Sequence, residues 1–121
     1  MKLLFPALAL GLMLPAMSAL AAEPGMEKNG MLVDAKGMTL YTFDKDGGGK
    51  SACNGGCAQN WPPLMASADA KAKGEWTLIK RDDGTVQWAY KGKPLYTFVQ
   101  DRKAGDMAGE GKMGVWHMAK P

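Results

Sequence analysis

The chain of 121 residues contains one histidine, two cysteines and two arginines. That scarcity removes most chemistry that relies on clustered ligands or on an acid–base pair. A hydrolytic triad would have to use His117 with a remote Ser and Asp that no spacing singles out. There is also no H-E-x-x-H, no G-x-S-x-G and no phosphate-binding loop. No catalytic residue is assigned, and the chain reads as a non-enzyme. The formal charge is only +3, with lysines and acidic residues interspersed, so there is no basic stripe for nucleic acid. No long amphipathic helix is legible, because no apolar period near 3.6 residues persists anywhere.

The one long apolar stretch lies at the start, "MKLLFPALALGLMLPAMSALA" at residues 1–21. It has a single Lys, and Ala19 and Ala21 occupy the −3 and −1 positions of an A-x-A cleavage site. Pro6 and Pro15 interrupt it, which favours a removed export signal over a membrane anchor. Cleavage near Ala21-Ala22 is expected, leaving residues 22–121 as a single domain, periplasmic or secreted, with no membrane span. The first cysteine, Cys53, is too far along for an acylated amino terminus. The expected partner is an envelope protein or a small ligand, and the chain is read as a monomer.

What the sequence does have is a repeated phrase. "KGMTLYTFDKD" begins at Lys36 and "KGKPLYTFVQD" at Lys91, an offset of 55 residues that also aligns Gly56 with Gly111 and Trp61 with Trp116. Asn29-Gly30 answers Asp83-Gly84 one residue out of register, and both dipeptides favour tight hairpins. In the second half, 75–80, 85–90 and 94–99 read as a three-stranded meander with turns at Asp83-Gly84 and Lys91-Gly92. Val86, Trp88 and Tyr90 share one face by alternation. The first half repeats this tersely through "GMEK", "MLVD" and "MTLYTF". The predicted fold is all-β, with two meander repeats (about 25–64 and 75–119) packed by a pseudo-twofold into a small sandwich or closed sheet. Six to eight strands are expected. Residues 65–74 read as a linker with at most one helical turn, and the two glycine-rich stretches as loops.

The pattern Tyr41, Phe43, Asp46 and its copy Tyr96, Phe98, Asp101 resembles the small secreted bacterial repeat proteins marked by Tyr-x-(Phe/Trp/Tyr)-x-x-Asp. Many of these are lipoproteins, and their function is unknown. "CNGGCAQNWPPL" and "GVWHMAKP" extend the likeness over the chain after residue 21. The resemblance implies an exported address and a repeat architecture, and carries no activity with it. The chain departs from the lipoprotein members in lacking a lipid-attachment cysteine.

Residues kept in both copies, Tyr41, Phe43, Asp46, Trp61, Tyr96, Phe98, Asp101 and Trp116, are read as structural. The Asp is expected to fix the turn that follows its strand by accepting backbone N–H bonds. "DKDGGG" at 44–49 starts like a calcium loop, but no acidic residue stands at the twelfth position and Val99 replaces Asp44 in the second copy. Cys53 and Cys57, with three residues between them and in an oxidising compartment, read as a disulfide. No cofactor is expected. The alternative is copper, or a redox role linked to it, held by Cys53 and Cys57 with Met107, Met113 or His117, since thiolate and thioether ligands select Cu(I). An aromatic groove for a sugar or peptide is a further possibility, against the plainer reading of the rings as core.

Overall fold

A computed structural model describes residues 24–121. The expected export signal at 1–21 lies outside the described residues. Strands β1 (Gly25–Lys28) and β2 (Met31–Asp34) pair across Asn29-Gly30, whose φ angles of 55° and 82° are those of a primed turn. Strands β5 (Trp76–Lys80) and β6 (Val86–Tyr90) are joined through Asp83-Gly84, where the Asp83 carboxylate accepts the Thr85 N–H and hydroxyl. Lys91-Gly92 (φ 51° and 83°) then turns β6 into β7 (Lys93–Pro94). In the resulting sheet β6 is central, with β5 on one edge and β7 sharing the other with β4 (Met65–Ala66).

The two halves are related by a pseudo-twofold that the hydrogen bonds trace residue by residue. Tyr41 and Tyr96, equivalent in the repeat, exchange both backbone bonds with each other (2.8 and 3.0 Å) and so mark the axis. The strand β3 (Tyr41–Phe43) pairs with β8 (Trp116–Met118) from the other repeat, Tyr41 opposite Met118 and Phe43 opposite Trp116. Its symmetry mate is the pairing of Tyr96 with Pro63, carried on by Thr97 N–H to the Pro62 carbonyl. Asp44 N–H bonds to the Val115 carbonyl and, equivalently, Val99 N–H to that of Asn60. Each motif strand is thus completed by the closing Trp strand of the opposite repeat. The repeats are interlocked, and neither closes its own sheet.

Two buried clusters sit on this axis. One holds Tyr41, Tyr96, Trp61, Trp116, Phe98 and Cys53; the other holds Leu40 and its mate Leu95, with Leu32, Trp76 and Ala119. In β6 the deepest residues are Gln87 and Ala89, while Trp88 and Tyr90 are half-buried and pack on the second cluster from the opposite face. The fold is a small all-β one, as expected, with strands in separate antiparallel sheets and no closed sheet among the described residues.

Three local readings need correction. The strand expected over 94–99 forms a ladder with β6 only at 93–94, because the chain then leaves β6 to pair with Tyr41 and Pro63. Residues 65–74 contain no helical turn among them, and Met65–Ala66 form a strand on β6. The first glycine-rich stretch is not all loop: α1 (Gly56–Asn60) is a short helix, and a 3-10 turn (Lys112–Gly114) takes the equivalent place in the second half. Period-based reading misses an element this short, since one turn shows no repeat of its apolar pattern.

Candidate functional site

The motif residues are consumed in packing and hydrogen bonds that cross between repeats. Tyr41 donates to Asp101 Oδ2 at 2.7 Å, and Tyr96 donates to Asp46 Oδ2 at 2.6 Å. The second carboxylate oxygen of each Asp accepts a backbone N–H of the loop that follows it, Ala52 for Asp46 and Ala108 for Asp101. Each aspartate therefore fixes its own loop and anchors the tyrosine of the other repeat. Burial pushes both phenols well above their ordinary range, and the neighbouring carboxylate raises them further. Asp46 is pushed upward by burial, opposed by its bonds from Ala52 and Tyr96.

The rings form a stack astride the axis: Phe43 on Trp116 (4.2 Å), Trp116 on Trp61 (3.8 Å) and Trp61 on Phe98 (4.0 Å). Each Trp also meets the edge of a motif tyrosine, Trp61 with Tyr41 and Trp116 with Tyr96. Gly109 passes so close that an added Cβ would lie 2.6 Å from the Trp61 ring, and its N–H donates to the Tyr41 hydroxyl. These aromatic side chains are chiefly core.

Symmetry fails around Arg81, which is 6% exposed. Its guanidinium donates to Gln87 Oε1, Ser51 Oγ, the Cys53 carbonyl and Asn54 Oδ1, and Ser51 in turn reaches the Tyr96 hydroxyl. Cys53 and Cys57 form a disulfide, with Cys53 fully buried. Arg81 and the disulfide hold the same loop from two sides. Cys57 and Met113 line one groove of about 340 Å³ beside Phe43, so the two glycine-rich loops meet there. His117 lies elsewhere, bonded to Asp44 at 2.8 Å, and Met107 does not line that groove. The five candidate copper ligands are therefore not gathered at one point, and no cluster of three or more His, Cys, Asp or Glu suited to a metal occurs among the described residues.

A second cavity carries more chemistry. A cleft of about 370 Å³ between β8 and the Lys91-Gly92 turn is floored by the half-buried Tyr90 and Met118, with Leu32 and Leu95 sealed from it. Its rim carries Asp44, Glu110, His117, Lys91, Lys93 and Lys120. Glu110 accepts the Met118 N–H through Oε1, and Asp44 engages His117 through Oδ2. Among the described residues none of the three lysines has a carboxylate partner.

Four of the rim residues have no counterpart of like chemistry in the other repeat. Asp44, Lys93, His117 and Lys120 stand where the other repeat has Val99, Met38, Pro62 and Met65. Val99 and Met65 are each 49% exposed, so burial did not select those apolar residues. A family described as a secreted repeat of unknown function matches the chain twice, at 26–65 and at 77–120. The chain belongs to that secreted-repeat family. Like the family, it is an exported repeat protein. No curated protein and no solved structure matches it significantly, and no helix among its described residues is long and apolar enough to cross a membrane.

Within this secreted-repeat architecture most of the motif residues that mark the sequence lie in the core, with Phe43 and Asp46 half-buried at its edge, whereas the charged rim carries no motif at all. Glu110, Lys93, Lys120 and Arg81 were not singled out by sequence reasoning. A position-by-position comparison of the repeats was the available signal for Asp44, Lys93, His117 and Lys120. No such signal exists for Arg81, whose partners are distant in sequence.

Proposed function

We propose that this protein is a binding module of the periplasm or cell envelope, and that its ligand site is the cleft rimmed by Asp44, Lys93, His117 and Lys120. The observation that carries this reading is the one-sidedness of the cleft. A duplicated scaffold reuses at equivalent positions the residues it needs to fold, and a charge present at only one of two equivalent positions is outside that shared set. The volume lies at the lower end of the range for small-molecule sites, and an apolar floor with a few convergent polar groups is their usual make-up. The interlocked core supplies a rigid frame for it.

The reading is tested by equilibrium dialysis of the protein against an envelope extract, with the Lys93→Met/Lys120→Met variant in parallel. Mass spectrometry should find a small molecule enriched by the wild type and not by the variant; equal retention of every compound by both contradicts the assignment. Export is tested by the mass of the protein recovered outside the cytoplasm, which should begin at Ala22.

A second reading, copper binding or a linked redox role, rests on the meeting of Cys57 and Met113 in one groove. It requires reduction of the disulfide, because thiolates bind Cu(I) and a disulfide does not. Native mass spectrometry of the reduced protein with Cu(I) should then give a 1:1 complex that is lost in Met113→Leu.

A further inference from the structure

The cleft offers two kinds of unused group side by side. Lys91, Lys93 and Lys120 are donors without a carboxylate partner among the described residues, and Lys91 lies over the Tyr90 ring at 5.8 Å. Asp44 Oδ1 and Glu110 Oε2 are acceptors, since each carboxylate spends only its other oxygen on the protein. A simple anion would satisfy the lysines and face two carboxylates. A simple cation would do the reverse. The rim therefore fits a ligand that carries a negative group at one end and hydrogen-bond donors at the other.

The floor narrows the choice. Tyr90 and Met118, both half-buried, are the apolar side chains that the cleft leaves open to a ligand, suited to the C–H face of a ring, while Leu32 and Leu95 are sealed from it. Asp44 Oδ2 is already engaged by His117 at 2.8 Å, the two side chains being 53% and 43% exposed. That leaves Asp44 Oδ1 to accept a hydrogen bond from a ligand hydroxyl. Resting on the binding-module reading above, we propose that the cleft takes a small acidic saccharide, a hydroxylated ring bearing a carboxylate. The lysines hold the carboxylate, Asp44 and Glu110 accept ring hydroxyls, and the ring lies on Tyr90 and Met118.

The test is a series of amide NMR titrations of the intact protein with sodium D-glucuronate, D-glucose, sodium acetate, sodium phosphate and glycine. Glucuronate should shift resonances at 42–44, 90–93 and 116–120, at concentrations about tenfold lower than any other probe. Lys93→Met/Lys120→Met should weaken glucuronate about tenfold. Asp44→Val should weaken glucuronate while leaving acetate unchanged. These substitutions install the residues of the other repeat, and an unaltered melting temperature verifies that the fold persists. Glucose binding as well as glucuronate overturns the need for the carboxylate. Acetate or phosphate binding as well overturns the need for the sugar ring, and preferential glycine binding overturns the hydroxyl assignment. In those three cases the cleft remains a ligand site and the broader reading stands. If no probe moves the cleft resonances at millimolar concentration, the saccharide proposal fails, and the dialysis experiment alone then decides the binding-module reading.

Discussion

Tyr41→Phe removes one oxygen atom and two hydrogen bonds, the donation to Asp101 Oδ2 at 2.7 Å and the acceptance from Gly109 N–H at 3.1 Å. A hydrogen bond to a carboxylate contributes about 1.5–3 kcal/mol, and a buried N–H left without an acceptor costs about 1–3 kcal/mol. The expected loss is about 3 kcal/mol, a large share of the 5–15 kcal/mol that holds a domain of this size. The melting temperature should fall by about 12–24 °C, given roughly 4–8 °C per kcal/mol at this length. Urea denaturation followed by tryptophan fluorescence measures the loss directly. The stronger statement concerns partnership, because Tyr41 contacts the aspartate of the opposite repeat. In double-mutant cycles with Asp→Ala, Tyr41 and Asp101 should couple by about 1–2 kcal/mol and Tyr41 and Asp46 by less than about 0.5 kcal/mol. Equal coupling of Tyr41 to both aspartates would refute the crossed arrangement, as would a Tyr41→Phe loss below about 0.5 kcal/mol.

Arg81→Met should destabilise the domain by about 2–4 kcal/mol, since it strands Gln87, Ser51 and the Cys53 carbonyl inside a buried network; a loss under about 1 kcal/mol in the same urea assay would contradict that role. Replacing both cysteines by alanine should cost only about 2 kcal/mol, because the bridge closes a very short loop, and circular dichroism should show the fold intact. Complete unfolding would mean that the bridge does more than pin its loop. Carboxyl NMR titration should place Asp46 above the ordinary aspartate value of 3.8, and Asp83 and Asp106 below it. The sign follows: the folded state favours protonated Asp46, so its contribution to stability is full below 3.8 and is lost as pH rises through its folded pKa. Asp83 and Asp106 act oppositely and lose theirs as pH falls through their folded values. Asp46 titrating below Asp83 would reverse the assignment.

Much of this fold was legible in the sequence because its signals are local. Asn29-Gly30, Asp83-Gly84 and Lys91-Gly92 specify turns by their own backbone preferences, and the repeat of Tyr41 to Trp61 as Tyr96 to Trp116 specifies the symmetry. The crossing was not legible. Trp61 and Trp116 are identical in type and spacing, so nothing local says which motif strand either will complete. The buried face of β6 was obscured for another reason: Gln87 looks like a solvent-facing residue until Arg81 and the Leu95 carbonyl supply its partners. The cleft was hidden because its rim assembles from 44, 91–93, 110 and 117–120, segments that only the crossed pairing brings together.

The interlocking of the repeats is tested most directly by separating them. Residues 22–66 and 67–121, expressed apart, should each give the poorly dispersed amide spectrum of an unfolded chain, because each lacks the Trp strand that completes its motif strand. Mixed in equal amounts, they should recover the dispersed spectrum as a 1:1 complex. A cooperative, dispersed fold in either half alone would contradict the account.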